Sequence, residues 1–328
     1  MKKMIVLLMA IMIVCSMTVF GQGQQEAGES VEFKGNVRFI VPAAAGGTSD
    51  ILARLISAEL QKALGVNVVV ENKPGASGNI GADIVAHAPK DAQTIFIYDM
   101  LSVLANPEMY GDKLSYSLDE LTGVGMVMFA QYIMAVNPEL PVSNTEELIA
   151  YSKAHPGKLV YATSGNGQLN HLTGIQFSKA WGVDWKFVHF KGGADAIRAV
   201  ASNEANIIIN GATATQPFVA QKQMTGISVS GTTRLPELAD LPTWSELGNP
   251  AVENGSWQGI MTTAGSPKAK VERLNAELNK ILAKPEIAAK IVSLGGSVRP
   301  TSVDDFNTWI NTNLGVMSGV VKEAGVKF

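Results

Sequence analysis

Residues 37–70 read VRFIVPAAAGGTSDILARLISAELQKALGVNVVV, and the order of patterns in this stretch sets the fold class. Val37 to Val41 is an apolar, β-branched run of the length of a buried strand. Leu52, Leu55, Ile56, Leu60 and Leu64 fall on one helical face, Gly65 is expected to stop that helix, and Val66 to Val70 supplies a second strand. Strand, Gly-containing loop, helix and strand make the repeating unit of an α/β sheet whose parallel strands are covered on both faces. The pattern recurs along the chain. Thr94 to Tyr98 reads as a third strand, and others are expected near Leu159 to Ala162, Lys186 to Phe190, Asn206 to Ile209 and Ile227 to Val229. A long apolar segment, Val124 to Val136, interrupted by Gln131, is placed to carry the chain from one domain to another, and Ser256 to Thr263 suggests the return crossing. Beyond it the sequence is helical: Ser266 is expected as N-cap with Pro267 at the first helical position, and Val271, Leu274, Leu278 and Ile281 follow at helical spacing. Pro285 ends that helix and begins the next.

Composition supports a folded chain. Of 328 residues, 46% are apolar and only 17% charged, which excludes intrinsic disorder. The 26 basic and 29 acidic side chains give a net charge of −3, so no sequence-wide basic field points to nucleic acid. A single cysteine, Cys15, permits neither an internal disulfide nor a multi-cysteine metal site. Lys2 and Lys3 precede an unbroken apolar run from Met4 to Val14, and Ser16, Thr18 and Gly21 lead into a polar stretch. This is the anatomy of a secretory signal, expected over residues 1–21 with a flexible leader over 22–32. The run is too short for a membrane anchor. Removal of Lys2 and Lys3 leaves 24 basic against 29 acidic side chains, a net −5. The rival route is lipidation at Cys15.

Two loops carry the expected chemistry. Pro42, Ala43, Ala44, Ala45, Gly46, Gly47, Thr48, Ser49 and Asp50 join a strand to a helix. Glycines let the backbone approach a ligand, and the free N–H groups of a helix start attract negative charge. The loop matches neither the G-x-G-x-x-G fingerprint nor a P-loop, and a plain connection capped by Thr48 or Ser49 is the competing reading. Thr163, Ser164, Gly165, Asn166, Gly167 and Gln168 likewise follow a strand and precede a helix containing His171. Ligands of open α/β sheets bind outside the carboxyl ends of strands. Two such loops facing each other suit a small molecule with an acidic group at one or both ends. Lys191 and Gly192, then Asn210 and Thr213, stand at two further strand ends, and Asp99 and Ser102 follow the third strand as candidates of lower rank.

Catalytic patterns are weak. Ser164 lacks both glycines of the G-x-S-x-G elbow, and His87, His155, His171 and His189 form neither an i, i+4 pair nor H-E-x-x-H.

The chain resembles the exported solute receptors of tripartite tricarboxylate transporters, the Bug or TctC family, from about Val37 to its end. The resemblance rests on Ile40-Val41-Pro42 with Gly46-Gly47-Thr48-Ser49-Asp50, then Val70-Glu71-Asn72-Lys73-Pro74-Gly75-Ala76-Ser77-Gly78-Asn79-Ile80-Gly81. Later motifs are Pro156-Gly157-Lys158, Ser164-Gly165-Asn166-Gly167 with His171-Leu172, Phe190-Lys191-Gly192, Leu241-Pro242-Thr243 and Ser256-Trp257. It implies an α/β, two-domain periplasmic binding protein of the hinged type II, each domain a mixed sheet flanked by helices. Domain 1 is then 33–132 plus 256–328 and domain 2 is 133–255. The family's ligand carboxylate is held largely by backbone N–H groups and waters of the two loops, here Ala44 to Asp50 and Ser164 to Gln168. Ala43 stands where the family often carries an aromatic, and Asp91-Ala92-Gln93-Thr94 replaces a common Asp-Gly-Tyr-Thr, so a bulkier or differently shaped acid is expected to fit. Pro74, Gly75, Gly78 and Gly81 read as a tight turn and close helix packing rather than a ligand loop.

The resulting expectation is a periplasmic, monomeric, non-enzymatic receptor for a small organic acid, either free or tethered through Cys15. It needs no cofactor or nucleic acid and delivers its ligand to integral-membrane permease subunits. A sensor docking on a membrane signalling protein, and more remotely an exported hydrolase, are the alternatives.

Overall fold

The computed structural model describes residues 31–249 and 255–328. The expected export signal, Cys15 and all but the end of the leader lie outside the described residues. Among those residues, no helix is long and apolar enough to cross a membrane.

Strand β1 (Val37–Val41) lies between β2 (Val68–Asn72) and β3 (Thr94–Asp99), and all three run parallel. Four of the five β1 residues are buried, as expected for a strand covered on both faces. Helix α1 (Thr48–Leu64) joins β1 to β2 and ends at Gly65, whose left-handed backbone (φ 71°) lets its N–H return to Gln61 O. The Ala76–Gly78 turn and α2 (Asn79–Ala86) then lead to β3, after which α3 (Met100–Tyr110) begins. A Cβ at Gly81 would stand 2.6 Å from Pro42 Cγ, so this glycine seats α2 against the end of β1.

The two apolar crossings are strands. β4 (Leu121–Val136) is 16 residues long and β9 (Gly255–Thr263) pairs antiparallel with it. Their register shifts between Gly123 and Gly125 and again between Met126 and Met128, the irregularities that bend a strand. At roughly 3.3 Å per residue, β4 extends about 50 Å, enough to serve two sheet regions. Its first half joins β9 and β10 (Gly296–Val298), and its second half joins β7 (Ile207–Gly211) and β8 (Thr225–Val229). Beyond β7 lie β5 (Val160–Thr163) and β6 (Lys186–His189), so the main sheet order is β2-β1-β3-β9-β4-β7-β5-β6. The β1/β2/β3 and β5/β6/β7 groups are parallel, as expected. Pairs made by β4 and β9 are antiparallel, so the sheet is mixed.

The remaining helices are α4 (Thr145–Ala154), α5 (Leu169–Trp181), α6 (Gly193–Ala201) and α7 (Ala212–Ala220), followed by α8 (Lys268–Leu282), α9 (Pro285–Ser293) and α10 (Val303–Ala324). Pro285 begins α9 as expected. Ser266 does not cap α8: that helix starts after Pro267, and the Ser266 hydroxyl accepts the Ala92 N–H at 3.1 Å. One core cluster is confined to the 133–235 region, with Ile133, Ile197, Val200, Ile208 and Val229 all 1% exposed or less.

Candidate functional site

The loop after β1 presents a helix start that its own side chains leave open. Gly47 is the N-cap of α1, and no side chain caps the first turn. Its N–H groups are therefore free for another acceptor. Asp50 is turned the other way. It accepts from Gly46 N–H (2.9 Å), Asn72 Nδ2 (3.0 Å) and the Arg54 guanidinium, which bridges it at 2.9 Å. Burial pushes the Asp50 carboxyl up, but these donors outweigh it and hold the group below its ordinary value. Ser49 donates to Gln258 Oε1 on β9 at 2.7 Å, and Gln258 Nε2 donates to Ser256 Oγ at 2.6 Å.

The loop after β5 faces it with the same arrangement. Gln168 is the N-cap of α5 and makes no side-chain cap bond. Asn170 Oδ1 accepts from Ser164 N–H (3.3 Å) and Ser164 Oγ (2.8 Å), which fixes the amide's orientation. Its Nδ2 has no partner among the described residues, although Asn170 is only 2% exposed, and the Gln168 amide reaches the Tyr98 hydroxyl. A buried donor left open in this way calls for an acceptor.

The two loops meet around a cavity of about 50 Å³. Sites for drug-sized ligands are roughly 300–1,000 Å³, so this space takes only a small molecule or part of one. Contacts across it are tight. Leu169 N–H donates to Ser102 Oγ at 3.1 Å, Ser77 Oγ donates to Asn166 O, and a Cβ at Gly192 would stand 3.0 Å from Ala44 N. Asp99 caps α3, accepting from Leu101 N–H at 3.1 Å and Ser102 N–H at 3.4 Å, and Tyr132 Oη donates to its other oxygen at 3.4 Å. Burial outweighs these bonds and pushes the Asp99 carboxyl up to about 7. The Tyr98 and Tyr132 hydroxyls are raised by burial and then by the adjacent Asp99 charge.

Of the expected residues, the structure brings Gly47, Thr48, Ser49, Ser102, Ser164, Gln168, Gly192 and Asn210 to the cavity wall. It does not bring Ala44, Ala45, Gly46, Asp50, Thr163, Gly165, Asn166, Gly167, His171, Lys191 or Thr213 there. Ala45, Gly46 and Lys191 are exposed. Thr163 Oγ1 and His189 Nδ1 bond each other at 2.8 Å, and Gly165 N–H donates to Thr163 Oγ1 at 3.2 Å. Gly167 N–H donates to His171 Nδ1 at 2.9 Å, so His171 shapes the loop from behind. Burial, then the neighbouring His189, pushes His171 down to about 4. Thr213 is buried in α7. Sequence reasoning ranked Asp99 low and missed Tyr98, Tyr132, Asn170, Ser256 and Gln258, all of which line the cavity. Polar Ser256 and Gln258 inside a buried strand were the available signal. Ala43 lines the cavity too, together with Tyr98 and Tyr132 from β3 and β4.

Comparison with known proteins agrees with this architecture. Residues 52–326 match the family described as tripartite tricarboxylate transporter family receptor. The structure of the periplasmic binding protein BugD superposes with a TM-score of 0.85 at 28% identity, covering 90% of this chain and 99% of that one. A Rhodopseudomonas palustris protein, Rpa4515, solved with adipate, gives a TM-score of 0.84 at 29% identity, with 90% and 98% of the two chains covered. MatC from Rhodopseudomonas palustris, solved with bound malate, gives 0.82 at 26% identity over 88% and 99%. The fold is that of periplasmic binding proteins, and the chain belongs to the tripartite tricarboxylate transporter receptor family.

Proposed function

We propose that this protein is an exported, periplasmic receptor that closes on a small organic carboxylate and presents it to integral-membrane permease subunits. The observation that carries this reading is the cavity itself. The uncapped start of α1 and the start of α5, whose first N–H is taken by Ser102 Oγ, converge there with the open amide donor of Asn170, and among the described residues no lysine or arginine lines the wall. Backbone N–H groups and amides oriented before binding hold a carboxylate through charge-assisted hydrogen bonds, each contributing roughly 1.5–3 kcal/mol. Adipate and malate, held by the two structural neighbours, are both such acids. On this reading 33–132 with 256–328 forms one lobe, 133–255 the other, and β4 and β9 are the crossings about which they close.

A thermal-shift panel of mono-, di- and tricarboxylates and amino acids tests it. At least one acid should raise Tm in a concentration-dependent way. Gly47→Asp should abolish that shift while leaving the unliganded protein folded. Aspartate is a favoured N-cap, and its carboxylate would occupy the N–H groups intended for the ligand. A panel with no stabilising member, or a shift indifferent to Gly47→Asp, overturns the reading.

A further inference from the structure

Asp99 is at odds with a site built for anions. The residue is 9% exposed and lines the cavity, and among the described residues it is the only aspartate, glutamate, lysine, arginine or histidine in the wall. The wall therefore has two chemical poles. Asn170 Nδ2 is an open donor on the α5 side, beside the Gln168 amide. Asp99 is an acceptor on the β3 side, and it sits beside two tyrosines that also line the space. A dicarboxylate satisfies the first pole but brings a second negative charge to the aspartate. Repulsion between buried like charges, far from screening salt, makes that pairing unfavourable. A hydroxyl would satisfy one lone pair and leave the buried charge without a counter-ion. An ammonium satisfies both the hydrogen bonding and the charge.

We infer that the ligand is a small amino carboxylate, its carboxylate held by the open start of α1 with Gln168 and Asn170, and its ammonium received by Asp99. This rests on the receptor reading above and narrows it from organic acids to zwitterions. Asp99 is then the specificity-determining residue. Each class of competitor is disfavoured at that one carboxylate, and the backbone donors are indifferent to what lies at the ligand's other end. The titratable groups facing Asp99 do not interfere between pH 5.5 and 8. Tyr98 and Tyr132 stay neutral because their hydroxyls are raised, and His171 on the adjoining α5 is neutral because its value is depressed.

Matched trios decide it by titration calorimetry on the mature full chain: 3-aminopropanoate, 3-hydroxypropanoate and malonate, then 4-aminobutanoate, 4-hydroxybutanoate and succinate, with alanine against lactate. The amino member of at least one set should bind ~10-fold or more tighter than its partners, the ratio expected for a charge-assisted bond. Asp99→Asn should erase that preference and improve binding of the matching dicarboxylate. Asparagine caps helices as well as aspartate does, so the fold should survive. With the wild type alone, affinity for the amino member should fall as pH drops from 8 to 5.5, and affinity for a dicarboxylate should rise. A dicarboxylate that binds tightest, or an amino preference unmoved by Asp99→Asn and by pH, overturns this inference and leaves the carboxylate receptor standing. If no acid of any class binds, both fall.

Discussion

Asp99 and His171 respond to acid in opposite directions, which gives the unliganded protein a pH signature readable residue by residue. The carboxyl of Asp99 titrates near 7 when folded and near 3.8 in a free chain. Within that window the folded state holds more protons, so acidification stabilises it. His171 titrates near 4 when folded and near 6.5 when free. There the unfolded state holds more protons, and acidification destabilises the fold. At about 1.4 kcal/mol per tenfold change in proton affinity, each contribution is on the order of 3 kcal/mol, and between pH 6.5 and 4 they largely cancel. Denaturant melts at pH 6.5, 5 and 4 should therefore show Asp99→Asn losing stability relative to the wild type as pH falls. His171→Asn, which keeps an acceptor for Gly167 N–H, should gain. Parallel curves for the two variants and the wild type would contradict both assignments.

At the scale of elements, the longest helix among the described residues packs on the sheet through one central ring, with Ile310, Met317 and Val321 buried beside it. Phe306 of α10 is fully buried over β4 and β9, in a groove that only glycine permits. A Cβ at Gly123 would lie 2.6 Å from Phe306 Cδ1, and one at Gly259 2.5 Å from Phe306 Cζ. Phe306→Ala should cost about 3–5 kcal/mol in urea unfolding, since the glycines cannot fill the space left behind. A loss below about 1 kcal/mol would show that α10 is held elsewhere. That helix fell only under the general reading of a helical chain beyond Thr263, whereas β1 was legible in detail, its limits Val37 and Val41 being those observed. Strand–loop–helix junctions are local, so the two Gly-rich loops were legible as well. The direction of β4 and β9 was not, because a run of buried apolar residues is the same for a parallel or an antiparallel strand. Three-residue β10 carries too little pattern to be seen. The cavity's other members escaped for a related reason. Tyr132, Asn170 and Gln258 reach it only through pairing and packing among sequence-distant elements, and nothing in their immediate neighbours announces it.

For the molecule as a whole, the loop after β1 lies against the loop leading into α6, and the start of α3 meets the start of α5. Gly192 stands at this seam with an extended backbone (φ 162°) that any residue can adopt, and only the nearness of Ala44 N at 3.0 Å excludes a side chain. Gly192→Leu should thus hold the halves apart without unfolding either. Small-angle scattering should give a larger radius of gyration than the wild type with ligand, and the ligand-induced contraction should be lost. An unchanged contraction would place the closing contacts away from this seam. The cap of α3 also bears on how such a receptor changes over generations. Groups that belong to the backbone cannot be removed by substitution, so the grip on a carboxylate is inherited with the fold. Asp99, by contrast, holds an N-cap position that asparagine, serine and threonine fill nearly as well. A single-base mutation from aspartate to asparagine would leave the helix start intact and change the charge a ligand must carry. On the receptor reading, one codon then sets the charge of the ligand while the scaffold stays as it was.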